Sequence, residues 1–294
     1  MKYTSGGKLP MYKQNGAPSL SGLMHHPVSD IKRLGLTVEA SPTASLEEME
    51  QYADVFASAH APFMKEALRL NPAADDESFR EESIKIIEDY IEIITAFDLL
   101  TQVNVHFGCV RRVEPEQTIG KTGTYENQIK SFQRIADFAR NRGKEIVLEN
   151  SGSYWSGVST NTTFDQVDWT KQSVHFGTDP EEWIQICEDV NRDNVGLCLD
   201  TSHACMYSHR FPEDEREDVL FSFLQRPDLI RHVHWSDNYP YDVRGRSDSH
   251  EILGRGDEPI EYHKAVKELD ALILLESNCT VKELEEQLEF IDKL

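Results

Sequence analysis

The chain has 294 residues, 39% of them hydrophobic, and a formal net charge of −22 from 52 acidic against 30 basic residues. That length suits one large α/β domain, and the acid excess argues against the broad basic footprint on which nucleic-acid affinity usually rests. No stretch approaches the roughly 18 apolar residues of a membrane helix, and the five cysteines, scattered without a CxxC pair, speak against a disulfide framework or a thiolate zinc site.

In chain order, the opening Met-Lys-Tyr-Thr-Ser-Gly-Gly carries no apolar signal-peptide core, so a cytoplasmic location is expected. Short β-rich runs are expected at residues 2–4, 36–39, 57–60, 102–106, 145–149, 195–200, 230–234 and 271–276. Amphipathic helices are expected between them at 46–55, 76–97, 125–142, 180–189, 216–224, 260–269 and 281–294. The helical period is clearest where Ile84, Ile86, Ile87, Tyr90, Ile91 and Ile94 form a stripe. Asp179-Pro180-Glu181-Glu182 reads as a helix start, and Asn141-Arg142-Gly143 as a stop. Eight strands alternating with helices predict a single (β/α)8 TIM barrel over 1–294. Its first unit is the least regular, because 6–27 is rich in glycine, proline and serine. The long polar segment 151–175, with Tyr154, Trp155 and Trp169, reads as a lid or substrate-contacting loop.

Six of the apolar runs end in a potential metal ligand: His60, His106, Glu149, Asp200, His234 and Glu276. Successive ends lie 34 to 51 residues apart, room for one βα unit each, so all six are expected at the C-terminal, catalytic end of the barrel. His203, Asp248 and His250 lie just downstream of such ends. Taken singly, each has a plain alternative: His60 a hydrogen-bonded core residue, Asp200 a cap, Glu276 a partner for a lysine. Taken together, buried charges at strand after strand are too costly for packing alone. A set of imidazoles and carboxylates without thiolate suits zinc foremost, with manganese, iron or cobalt as alternatives. Its size implies two or three ions sharing a bridging carboxylate, a source of hydroxide at neutral pH. His232 shares a strand face with His234 without being a ligand, and His25, His26, His175, His209 and His263 are expected on the surface or in loops. Cys198 reads as core, and Cys205 as a neighbour of the ligands. Gly254-Arg255-Gly256 lacks the Lys-Ser/Thr of a phosphate loop and reads as a turn. Arg244, Arg246, Arg255 and Trp155 are the candidate substrate contacts.

From about residue 57 onward the chain resembles the endonuclease IV and xylose isomerase-like TIM-barrel superfamily, the AP endonuclease family 2. The resemblance runs through His60-Ala-Pro, Val-His106-x-Gly, Glu149-Asn-Ser-Gly, Leu-Asp200-Thr-Ser-His203-Ala, His234-x-x-Asp237, Asp248-x-His250-x-x-Leu-Gly-x-Gly and Leu-Glu276. By analogy with endonuclease IV it implies three sets of ligands. His60, His106 and Glu149 hold one zinc; Glu149, Asp200, His234 and Glu276 a second; and His203, Asp248 and His250 a third. The implied activity is incision of abasic-site DNA by a metal-activated hydroxide. The chain departs from that relative in a longer loop after Glu149 and in its opening segment. The alternative within the superfamily is a sugar or sugar-phosphate isomerase or epimerase holding one ion on Glu149, Asp200, His234 and Glu276. Glu149, Glu276 and His203 are the candidate catalytic groups, the two glutamates able to pass a proton between neighbouring carbons of a ketose.

Overall fold

The computed structural model describes residues 19–294. Eight parallel strands close into a barrel in chain order: β1 (Ser19–Leu23), β2 (Thr37–Ala40), β3 (Phe56–His60), β4 (Gln102–His106), β5 (Glu145–Glu149), β6 (Val195–Asp200), β7 (Ile230–Trp235) and β8 (Leu272–Leu275). The helices are α1 (Val28–Leu34), α2 (Leu46–Tyr52), α3 (Glu77–Ile94), α4 (Tyr125–Arg140), α5 (Pro180–Val190), α6 (Thr201–Ser208), α7 (Arg216–Ser222), α8 (Ile260–Lys267) and α9 (Val281–Lys293). Among the described residues no helix is long and apolar enough to cross a membrane.

The helix starts follow local capping chemistry. The Asp76, Thr124 and Asp179 side chains accept from backbone N–H groups of the first turns of α3, α4 and α5. Ser45 with Glu48, and Thr280 with Glu283, form capping boxes on α2 and α9.

Three local features depart from the reading of the sequence. The first barrel strand is Ser19–Leu23; residues 2–4 lie outside the described residues. Ser-Leu-Ser-Gly-Leu has weak β propensity and is held by pairing with β2 and β8 on either side. Helices α1 and α6 were not anticipated. The second starts directly at the end of β6, where the Asp200 side chain accepts from His203 N at 3.0 Å. The 151–175 segment contains two short 3-10 turns, Phe164–Gln166 and Trp169–Lys171, and Val174–His175 pairs antiparallel with Cys109–Arg111.

Alternation along the strands sorts the side chains. Val38, Val103, Val105, Ile146, Leu148, Leu197, Leu199, Val233, Ile273 and Leu275 belong to the buried core with helix residues such as Ile91, Phe132, Ile135, Trp183 and Ile291. The alternate set, which includes Ser21, Glu39, Ser58, Gln102, Asn104, Glu149, Cys198, Asp200, His232 and His234, is buried and mostly polar. Hydrogen bonds between strands that are not neighbours, such as His232 of β7 with Gln102 of β4, identify this set as the barrel interior. An interior of this kind needs every group paired or bound, whereas the barrel–helix layer supplies ordinary apolar stability.

That division predicts a contrast on α3. Ile91 is fully buried and Ile93 is 45% exposed, so Ile91→Ala should destabilise by about 2–5 kcal/mol and Ile93→Ala by no more than about 0.5. Equilibrium urea unfolding of the two variants measures it, and equal losses would contradict the layer assignment.

Candidate metal centre

Parallel register delivers the donors side by side. His106 on β4 pairs with Glu149 on β5, and Asp200 on β6 with His234 on β7. Glu276 follows β8, its N–H donating to Trp235 O at 3.1 Å. Ligand atoms come within 4.8 Å of one another in overlapping groups: His60, His106 and Glu149; Glu149, Asp200 and His203; Asp200, Asp248 and His250; and Asp200, His234 and Glu276. All nine donors singled out in the sequence therefore meet at one barrel mouth. They share members differently from the expectation: Asp200 links three of these groups.

The surroundings fix which imidazole atoms are free. His60 Nδ1 lies 2.8 Å from Ala61 O, and His203 Nδ1 2.8 Å from Asn150 O. A carbonyl only accepts, so both rings carry hydrogen on Nδ1, and in the neutral form each Nε2 lone pair points into the cluster. His60 Nε2 and His106 Nε2 approach to 3.0 Å, with Glu149 Oε2 at 3.6 and 3.2 Å. Asp200 Oδ2, His234 Nδ1, His250 Nε2 and Glu276 Oε2 are buried and make no well-formed hydrogen bond, although His234 Nδ1 lies 3.1 Å from Glu276 Oε2 and His250 Nε2 2.7 Å from Asp248 Oδ1. Converging imidazole nitrogens and carboxylate oxygens at such distances fit divalent cations.

Electrostatics agree. Burial opposes charge on Glu149, yet His106 and His234 hold its carboxyl well below the ordinary range. Burial, then Glu276 and Asp248, push Asp200 up to about 7 against the pull of His203 and His250. Against burial, Asp200 and Asp248 raise His203 well above its usual value, and Cys198, Glu276 and Glu39 raise His234. Glu276, Asp248 and Asp200 push His250 up to about 10.

Second-layer contacts hold the donors. Asn150 Oδ1 accepts from Asp200 N at 2.6 Å, and its Nδ2 donates to Asp200 O at 3.0 Å, tying the end of β5 to that of β6. Asn104 Nδ2 donates to Glu149 Oε2. Asp237 accepts from Asn238 N, Glu258 N and Gly254 N at 2.9–3.2 Å, folding the loop that carries Asp248 and His250. A Cβ on Gly256 would meet Asp237 Oδ1 at 2.3 Å, so Gly254-Arg255-Gly256 is the turn that wraps this carboxylate.

One acid of the barrel interior escaped the sequence reading. Glu39, 4% exposed on β2, lies across the barrel interior with Oε1 3.3 Å from His234 Nε2 and Oε2 3.1 Å from His232 Nε2. Ser58 Oγ donates to it at 2.8 Å. His232 Nδ1 lies 2.6 Å from Gln102 Oε1, and Gln102 Nε2 donates to Glu145 Oε2 at 2.8 Å. A carboxylate behind the far nitrogen of a candidate ligand is the arrangement that orients and polarises it. The signal was available: the run expected at 36–39 also ends in an acid.

The cluster floors a cavity of about 220 Å³ whose walls include Phe63, Arg69, Phe107, Tyr154, His175 and Met206. The arginines singled out in the sequence are not among its lining residues. Arg255 pairs with Glu283 and Glu286 of α9 at 2.9 and 2.8 Å. Arg244 pairs with Asp242 and lies over Tyr239, and Arg246 donates to Ser159 O and Thr162 O and lies over Trp155. Trp155 donates through Nε1 to Met206 O at 3.1 Å, bracing the 151–175 segment on α6. Sequence distance hid the partners of Arg255 and Arg246, whereas those of Arg244 are local.

The expectation of surface histidines is corrected as well. His25 is exposed, but His26, His175, His209 and His263 are at most 3% exposed. Two of them are met by distant groups: His209 Nε2 lies 3.1 Å from Tyr239 O, and His263 Nδ1 accepts from Trp235 Nε1. Cys205, fully buried in α6, belongs to the core cluster and is absent from the cavity lining. Cys198, also fully buried, stands with His232 and His234 as a potential ligand group below the mouth.

Comparison with known proteins follows the same lines. The profile of the family described as xylose isomerase-like TIM barrel matches residues 36–294. An uncharacterised protein of Methanocaldococcus jannaschii is 28% identical over 237 residues, 79% of this chain and 68% of that one. The probable endonuclease 4 of Aquifex aeolicus is 23% identical over 205 residues, 67% of this chain and 60% of that one. A D-tagatose 3-epimerase-like protein of known structure superposes with a TM-score of 0.65 at 22% identity, covering 94% of this chain and 98% of the other.

The raised imidazoles make a prediction about ion binding. Groups with raised values hold protons below them, and a divalent ion must expel those protons. Affinity for zinc should therefore rise with pH through the neutral range toward the His250 value of about 10. Calorimetric titration in buffers of different ionisation enthalpy should register proton release; binding that is independent of pH would contradict the assignment.

Proposed function

This chain belongs to the xylose isomerase-like TIM barrel family, and from that premise we propose that it is a metal-dependent phosphodiester hydrolase of the endonuclease IV type. The observation that carries the reading is the convergence of nine imidazole and carboxylate donors in overlapping groups with atoms within 4.8 Å. Two or three divalent ions, zinc foremost, would supply a hydroxide at neutral pH and neutralise charge developing on a phosphate.

The chain's own groups divide the work. Glu149 belongs to two of the groups, so its two oxygens suit a bridging role. Asp200 links the His203 side to the Glu276 side. Glu276 lines the cavity, and although burial opposes its charge, His234 and His250 keep it ionised; we assign it to take up the proton given up by the attacking water. His203, its Nδ1 anchored on Asn150 O, presents Nε2 3.4 Å from Asp248 Oδ2 and is assigned to hold an ion together with that carboxylate.

A second reading is favoured by a different observation. The small aromatic-walled cavity and the charge of −22 suit a small sugar or sugar phosphate better than duplex DNA. In that case the enzyme is an isomerase or epimerase using Glu149, Asp200, His234 and Glu276 about one ion, with the glutamates passing the proton.

Two measurements separate them. The zinc-loaded protein should incise a duplex carrying one abasic-site analogue, and His106→Ala should abolish that incision. Deuterium exchange into a ketose with no incision, tolerant of His106→Ala, would replace the first reading by the second. Under either reading Glu39→Gln keeps the shape but removes the negative charge and one of the two acceptors that face His234 and His232, so zinc affinity should fall about 10–100-fold. An unchanged affinity would leave Glu39 without this role.

A further inference from the structure

One wall of the cavity is built of different chemistry from its floor. Arg69 lines it, with Nη1 donating to Tyr154 Oη at 2.8 Å and the guanidinium 5.4 Å from the Phe63 ring centroid. His175 lines it too, 3% exposed and edge-on to Tyr154 at 4.6 Å between centroids, with Nε2 unpartnered. Arg112 stands behind them. Its side chain is 2% exposed, its Nε and Nη2 have no hydrogen-bond partner, and its ion pair with Glu114 is a long 3.7 Å. That acid is shared with Ser173, whose Oγ donates to it at 2.8 Å. Arg112 follows directly on the Cys109–Arg111 strand that pairs with Val174–His175, and burial, then the charges of Arg112 and Arg69, hold the His175 imidazole well below its usual value.

Two guanidiniums gathered beside an imidazole with unspent polar atoms are costly inside a protein unless an anion completes them. Guanidinium groups favour planar or tetrahedral oxyanions. The floor, by contrast, is a wall of carboxylates and lone pairs suited to cations. We propose that Arg69 and His175, with Arg112 supplying charge from behind, form an oxyanion subsite. It would take the anionic end group of a small substrate whose other oxygens face the strand-end cluster. A phosphate fits before a carboxylate, because two guanidiniums match a dianion. The proposal deepens the second reading given above, an isomerase or epimerase of a small sugar phosphate, and rests on it for the position of the reacting end.

Calorimetric titration of the zinc-loaded protein with inorganic phosphate, and with acetate as the monoanionic carboxylate arm, tests it while metal content is measured on the same samples. Phosphate should bind more tightly than acetate. Arg69→Ala should weaken phosphate binding at least tenfold at unchanged metal content, Arg69→Lys should weaken it less, and Arg112→Met should weaken it severalfold. Arg244→Ala serves as the control that leaves it unchanged. Should Arg112→Met not fold, the partly exposed Arg69 decides the matter alone. Equal phosphate affinity in wild type and Arg69→Ala would overturn the subsite. So would an oligonucleotide that binds more tightly than phosphate and loses affinity in the same variants, since the recess would then serve a polymer backbone. Loss of bound metal with phosphate binding intact would instead count against the metal reading and leave the subsite standing.

Discussion

All eight strands run the same way, so a buried carboxylate or imidazole at any strand's C-terminal end arrives at the same mouth. That convergence is the constraint on which the rest of the molecule depends. Five donors sit on the last residue or next to last of a strand, and a sixth, Glu276, follows one directly. Burying such groups side by side is tolerable only if they neutralise one another or share cations. His60, His106 and Glu149 meet at distances where lone pairs face one another, which favours cations. The apolar layer between strands and helices supplies the stability that this polar interior does not.

Below the mouth the same logic continues. Glu39, His232, Gln102 and Glu145 pass hydrogen bonds and ion pairs from one side of the barrel to the other. The chain of contacts gives His234 a fixed ring orientation, because its two nitrogens face Glu276 on one side and Glu39 on the other. Asn150 does comparable work from the backbone side by binding both the N–H and the C=O of Asp200. The donors are thus held in place by neighbours that are themselves anchored on other strands, the condition for a preorganised site.

Much of this was legible before any coordinates. From β2 onward the strands announce themselves as short apolar runs closed by a polar residue, a local signal that survives without knowledge of partners. What could not be read depends on long-range pairing. Ser19–Leu23 carries little β propensity and is a strand only because β2 and β8 flank it. His26, His175, His209 and His263 are buried by contacts remote in sequence. The fate of Arg255 is decided by Glu283 and Glu286 on the last helix, while Arg69, at the end of the two-residue strand Leu68–Arg69, gave no sign of reaching the cavity. Glu39 was missed although it obeys the strand-end rule, since no motif drew attention to it.

The account therefore rests on the nine donors acting as ligands together, with the acidic surface and the small cavity bearing on the choice of substrate. The most direct test is elemental analysis of the protein after zinc loading and gel filtration, beside Glu149→Gln treated identically. Two or three zinc ions per chain, with at least one lost in the variant, is the predicted result. No tightly held ion in the folded wild type, or an identical content in the variant, would contradict it.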